Sequence, residues 1–343
     1  MSPPGQLTLS APVTAHNLTA WFILAPAPTE PGVPDYRVLE ESIETAAAIL
    51  HETGSVNELL IENTGDVDLF IQAGDIVRGG RQDRTLAADF IVPARSGRIP
   101  LPAFCVESAR WHKRGTEDAS QFSSSKHTLS SKKAHLAMLF QRSQAEVWKS
   151  VTDEQRALTS SLGVHSASEY SPTSLELTYE LDHVARAVED DYTGRLDQAP
   201  WSVGGEVLGV VWAIDGRPSH ADRYLTPGLF AKRWRKLLRA AATEALMARP
   251  FQQSQAAPAA LPAGEEIRSW LAKAEAEASL TRPGSAEATS APPTAAERSR
   301  AAEEESLPPR TRLRRHRGDS AHLVECFDTA VAAGPVHVTV LAP

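Results

Sequence analysis

Apolar and polar positions alternate with a period of two in several short stretches of the first hundred residues, the pattern of half-buried strands. Leu7-Thr8-Leu9 and Ala20-Trp21-Phe22-Ile23-Leu24 predict two strands around a polar turn. Pro26, Pro28, Pro31 and Pro34 make a loop, after which Val38, Leu39, Ile43, Ala46, Ala47 and Leu50 predict a helix over 38–51 that Gly54 caps. Thr64-Gly65-Asp66, between 57–63 and 67–72, predicts a hairpin. In its second strand Val67, Leu69 and Ile71 point one way and Asp68, Phe70 and Gln72 the other. A strand over 85–92 and a turn over 93–98 precede a strand over 99–107, where Ile99, Leu101, Ala103, Cys105 and Glu107 share a face. Pro100 and Pro102 remove amide donors from one edge of it, so an outer strand or a bulge is expected.

Beyond Trp111 the pattern changes. Residues 120–131 read as a Ser/Lys-rich loop, followed by helical spacing over 132–162 and 175–191. A buried-type strand over 207–214 ends in the turn Asp215-Gly216. Over 227–247, Phe230, Trp234, Leu237, Leu238 and Ala241 form one face of a helix. Residues 252–312 are rich in Ala, Pro, Ser and Glu with little periodicity and are expected to be a disordered insertion. Within it Ile267, Trp270 and Leu271 allow a short helix over 265–278. Strand-like segments at 322–328 and 336–341 are expected to rejoin the sheet. The fold class is therefore α+β: a β-rich sandwich or barrel-like core with helices packed against it. The division is a core over 1–251, the insertion over 252–312, and returning strands over 313–343.

Composition narrows the classes. The chain has 343 residues, 42% hydrophobic and 23% charged, which is enough to bury a core in ordinary globular fashion. Its formal charge of -8 speaks against a dedicated nucleic-acid binder, which would carry a basic face. No run approaches the ~18 apolar residues of a membrane span, and Met1-Ser2-Pro3-Pro4-Gly5 has no signal-peptide character. The only cysteines, Cys105 and Cys326, are expected to be unpaired in a reducing compartment, so a cytoplasmic location follows. No histidine or cysteine spacing suits a metal, and no cofactor is called for.

Candidate chemistry concentrates between Gly74 and Trp111. Gly79-Gly80 with Arg78, Arg81 and Arg84 can cradle an anion, or can simply be a solvated hairpin loop whose glycines take positive φ. Cys105-Val106-Glu107 sets a thiol and a carboxylate on one strand face, and Arg110 or His112 could activate the thiol. A buried core cysteine is the plainer role. Glu107 needs a partner on that face, for which Arg84 and Arg110 are the candidates. The run from Arg233 to Arg239, with Lys236, reads as the wet face of a helix.

The motif Gly79-Gly80-x-Gln82-x-Arg84, then Ile91-Val92-Pro93 and Cys105-Val106-Glu107-x-x-Arg110-Trp111, resembles the family named for association with ADP-ribosylglycohydrolases and rhodanese/phosphatase-superfamily proteins. Gln144-x-Glu146-Val147-Trp148 and the block Gly209-Val210-Val211-x-Ala213-Ile214-Asp215-Gly216 extend the resemblance. Ser108-Ala109 departs from it, since a glycine commonly precedes the Arg-Trp pair. The resemblance implies a setting near ADP-ribose and NAD-consuming pathways. Two functions follow. In one, an ADP-ribose-like or phosphorylated small molecule is bound or processed: Gly80, Gln82, Arg84, Arg110, Trp111, Gln144 and Trp148 would bind it, with Glu107 and Cys105 as catalytic groups. In the other, the same residues are a structural network in a non-enzymatic module that binds a protein partner.

Overall fold

Alternation along one strand sets the layering. In β3 (Leu18–Leu24), Trp21 and Ile23 face one hydrophobic cluster while Ala20 and Phe22 face another, so the strand is buried on both sides. The structure is a computed structural model that describes residues 7–30, 32–107, 121–161, 175, 183–248, 261–280, 302–331 and 334–343. Among these, β3 lies in a nine-stranded antiparallel sheet. Its neighbours are β1 (Thr8–Leu9), β2 (Val13–Ala15) and β13 (Val207–Ile214), followed by β14 (Arg217–Tyr224), β18 (His337–Leu341), β17 (His322–Asp328), β16 (Thr311–Arg317) and β15 (Glu303–Leu307).

The short strands of the first half form two further sheets. One runs β12 (Phe122–Thr128), β8 (Asp75–Gly79), β9 (Arg84–Leu86), β11 (Ser96–Cys105), β6 (Glu58–Asn63) and β5 (Ala48–Glu52). The other is β10 (Phe90–Val92), β7 (Leu69–Ile71) and β4 (Arg37–Val38). Leu69, Ile71, Phe90 and Val92 pack on Leu50, Leu59, Ile61, Val77, Leu86 and Leu101 of the six-stranded sheet. Phe70 and Ile91 instead join the main core under the large sheet. The period of two along 67–72 thus places a thin sheet between two hydrophobic layers, and the α+β class with a sandwich-like β core holds.

Among the described residues the helices are α1 (Leu39–Glu44), α2 (Lys132–Leu136), α3 (Gln144–Ser161), α4 (His183–Leu196), α5 (Ala199–Ser202), α6 (Pro227–Ala248) and α7 (Gly264–Leu280). A π-helical turn, Ala137–Gln141, follows α2 and ends at Arg142 with φ 52°. α6 lays Leu229, Phe230, Trp234, Leu237, Leu238 and Ala241 into the main core, where the Trp234 indole stacks on Trp212 at 5.7 Å. No helix among the described residues is long and apolar enough to cross a membrane.

Several expectations are corrected. The first segment makes three strands, not two. The helix at 38–51 stops at Glu44, because Ala46 takes φ 54° and residues 48–52 pair with β6 as a strand. Gly54, φ 81°, therefore lies between β5 and β6 and caps no helix. Residues 57–63 and 67–72 form no hairpin: β6 pairs with β5 and β11, and β7 with β10 and β4. The Asn63 side chain holds that corner, donating to Val67 and Val92 carbonyls and accepting from Gly65. Residues 85–92 break into β9 and β10, in different sheets.

β11 is interior and bulged, not outer: it pairs with β6 up to Pro102 and with β9 only over Ala103–Cys105, so its prolines lie where it has a single neighbour. The expected loop at 120–131 contains β12, paired with β8. Within 252–312 the helix allowed over 265–278 is α7, which covers the outer face of the large sheet with Ile267, Leu271, Ala274 and Ala278, and β15 pairs with β16. Residues 252–260 and 281–301 of the expected insertion lie outside the described residues. An alanine-rich helix buries its few apolar groups in one stripe, which suffices once a sheet face lies beneath it.

Candidate functional site

Gly80, Gln82, Arg84, Cys105, Glu107 and Gln144 come together at the junction of β9, β11 and α3. Arg84 and Cys105 are register partners, which brings the end of β11 back beside the start of β9. The Gln82 amide donates to the Glu107 carbonyl at 3.1 Å, and the Asp83 N–H donates to Glu107 Oε2 at 3.0 Å. Arg84 Nη1 donates to the carbonyl and the side-chain oxygen of Gln82, both at 3.2 Å. Its Nη2 lies 3.7 Å from Glu52 Oε1. Gln144 acts as a peptide mimic for Cys105, accepting from its N–H at 2.8 Å and donating to its carbonyl at 2.9 Å.

Apart from the half-buried Gln144, the cluster is buried: Arg84 and Cys105 are 0% exposed, Glu107 1% and Gln82 5%. Burial pushes the Cys105 thiol above its ordinary pKa, and its Sγ–H donates to the Glu107 carbonyl at 2.7 Å. Trp148, one turn beyond Gln144, is 39% exposed and near enough to the sulfur to offset a little of that rise. The two glycines serve packing. A Cβ at Gly79 would meet the Gln121 carbonyl at 2.2 Å, and one at Gly80 the Phe122 ring at 2.4 Å. Arg110, Trp111 and His112 lie outside the described residues.

A second polar centre joins α6 to β8. Arg233 grips Asp75 bidentately, at 2.7 and 3.0 Å, and donates to Gln72 Oε1 at 2.9 Å. Tyr224 donates to the same oxygen, and its ring stacks on His337 at 4.6 Å. His337 lies between Asp89 (2.7 Å) and Asp222 (3.1 Å). Burial opposes the His337 charge, yet the two carboxylates push its pKa up to about 9. Burial likewise opposes ionisation of Asp222, which His337 nevertheless holds at about 2. Asp75 stays below the ordinary carboxylate range despite complete burial, through Arg233 and then Lys236. The expectation of a wet helix face at 233–239 is thus corrected: Arg233 and Lys236 are 1% and 2% exposed. Arg233 lies three residues after Phe230 and four before Leu237, inside the apolar stripe, a signal the charge run concealed.

Lys236 marks where this network reaches a surface cleft. Its Nζ donates to Ser124 Oγ at 2.9 Å and lies 3.5 Å from Asp75 and 3.8 Å from Glu40. The cleft, about 470 Å³, is lined by Lys126, Lys232, Arg235, Lys236 and Arg239, with Glu40 and Asp197 as its carboxylates. Trp201 of α5, 53% exposed, stands at its wall. By sequence Ser123-Ser124-Ser125-Lys126 could bind a phosphate but reads more simply as a plain loop, and Lys232, Arg235, Lys236 and Arg239 all lie on α6, whose charge run reads as a wet face. Elsewhere Ser219, His220 and Glu244 meet, but His220 Nδ1 faces both the Ser219 hydroxyl and the Glu244 carboxylate at 3.3 Å. A relay needs the two nitrogens to face different partners, so this is no nucleophile triad.

The model of the ARG and Rhodanese-Phosphatase-superfamily-associated Protein domain matches residues 6–315. No curated protein and no solved structure matches the chain.

Proposed function

The chain belongs to the ARG and Rhodanese-Phosphatase-superfamily-associated Protein family, and we propose that it binds a phosphorylated small molecule, ADP-ribose-like compounds included, in the cleft beside Lys236. One observation carries this reading: in a chain of formal charge -8, five cationic side chains gather around one cleft against two carboxylates. Like charges repel, so such a cluster suits an anion that offsets it. Lys232 and Arg239 also pair with Asp35 and Glu189, contacts that limit the freedom of both side chains. The volume falls within the roughly 300–1,000 Å³ of small-molecule sites, and an exposed indole offers a surface for a base or sugar ring.

On this reading the Gln82–Arg84–Glu107 cluster is framework. Hydrogen bonds join Gln82, Arg84 and Glu107 to one another and to the backbone, which supports a structural role for those residues in either function. Thermal-shift and calorimetric titration with orthophosphate, ADP, ADP-ribose and ribose 5-phosphate test the proposal. At least one phosphorylated compound should stabilise the protein, and Lys126→Glu should weaken it about tenfold, the worth of one charge-assisted contact, with the melting temperature unchanged. No stabilisation by any of the four would leave the protein-interaction module as the better account.

A further inference from the structure

Lys236 differs from every other cation at the cleft. Lys126 and Arg235 are exposed and Lys232 and Arg239 half-buried, whereas Lys236 is 2% exposed and lines the same space. Among the described residues its only fully buried carboxylate neighbour, Asp75, is already held on both oxygens by Arg233. Two buried cations therefore share one buried carboxylate. Glu40, at 3.8 Å and half-buried, compensates the second weakly. An ammonium so placed gains by shedding its proton, and a neutral amine beside a second cation is the arrangement that makes a lysine nucleophilic. Burial does push the Lys236 ammonium below the ordinary lysine range, although Asp75 opposes it.

We propose that Lys236 is a nucleophilic amine that forms an imine with a phosphorylated carbonyl compound, an aldose or ketose phosphate, held in this cleft; the inference rests on phosphorylated-ligand binding there. The Nζ lone pair adds to the carbonyl carbon, forming a C–N bond while the C=O π pair moves to oxygen. That oxygen takes the proton released by nitrogen, with the Glu40 carboxylate placed to carry it. The carbinolamine hydroxyl then takes a second proton from solvent and leaves as water, while the nitrogen lone pair forms the protonated C=N bond. No oxidant or reductant is required. Lys126 and Arg239 are the cations for the phosphate, and Ser124 and Asp75 hold the amine in place.

Reductive trapping tests this. The full chain is incubated with ribose 5-phosphate and cyanoborohydride, which reduces C=N to a stable secondary amine, and modified lysines are mapped by peptide mass spectrometry. Lys236 should be labelled on the order of tenfold faster than the more exposed Lys232 and Lys126, as expected of an amine with a larger unprotonated fraction near neutral pH. Ribose without phosphate should not produce this preference. Lys236→Arg, which retains the charge, should abolish the fast label while ribose 5-phosphate still raises the melting temperature. Stabilisation by ribose 5-phosphate with labelling confined to Lys126 and Lys232 would overturn the amine chemistry alone. Neither stabilisation nor labelling would overturn both it and binding in the cleft.

Discussion

The two buried polar centres are built from similar groups to different ends. Around Arg84 most partners lie within 25 residues of one another and most of the hydrogen bonds have backbone at one end, which ties the cluster to β9 and β11. Around Arg233 the partners are 158 and 161 residues away and are side chains. That network ties a helix to a strand and reaches a cleft at Lys236. A polar cluster tied to the backbone stiffens a sheet; one in which two buried cations share one buried carboxylate beside an open cleft has chemistry left to do.

Truncation should separate the two most sharply at Arg233. Arg233→Ala leaves Asp75 buried without its bidentate partner, and denaturant unfolding should show a loss of about 3–5 kcal/mol. A loss below about 1 kcal/mol would mean that Lys236 alone neutralises Asp75, and the two-cation description would fail.

The His337 end of the same network should show itself through pH. His337 rises from 6.5 to about 9, so its contribution is complete below pH 6.5 and is lost as pH climbs through 9. Asp222 falls from 3.8 to about 2, so its contribution is present above pH 3.8 and is lost as pH drops through 2. Stability should therefore hold between these limits and decline on the alkaline side by on the order of 3 kcal/mol. His337→Gln should flatten the alkaline decline; an unchanged slope would assign it to other groups.

Arg84→Ala should cost the least, about 1–3 kcal/mol, because what it strands are hydrogen-bond acceptors of Gln82 rather than a fully buried carboxylate. The melting temperature should fall while any ligand-induced stabilisation survives. If instead the ligand effect disappeared and the fold stayed intact, the ligand site would belong at the β9–β11 junction and the contrast between the two centres would collapse.

Local pattern made part of this legible. The alternation at Leu69, Phe70 and Ile71 assigns their faces, and the return of β11 beside β9 follows from the turn at Arg95-Ser96-Gly97, so the meeting of Gln82, Arg84 and Glu107 could be read from sequence. The helix at 227–247 and its apolar stripe were equally plain. The hairpin at Thr64-Gly65-Asp66 was not, because turn chemistry specifies a corner without specifying which strands pair across it. The short helix at 38–51 misled because apolar spacing over fourteen residues suits a turn of helix followed by a strand as well as a longer helix.

By itself, then, the amino-acid order determined which residues alternate, which face of α6 is apolar, and that a Gly/Arg/Glu-rich segment would fold back on itself. Only the tertiary structure decided that Arg233 and Lys236 leave solvent for Asp75, that α7 covers a sheet face, and that Lys126, Trp201 and Arg239 share a cleft. The reason is range: periodicity reports contacts within an element, whereas the burial of a charge depends on a counter-charge brought from more than a hundred residues away.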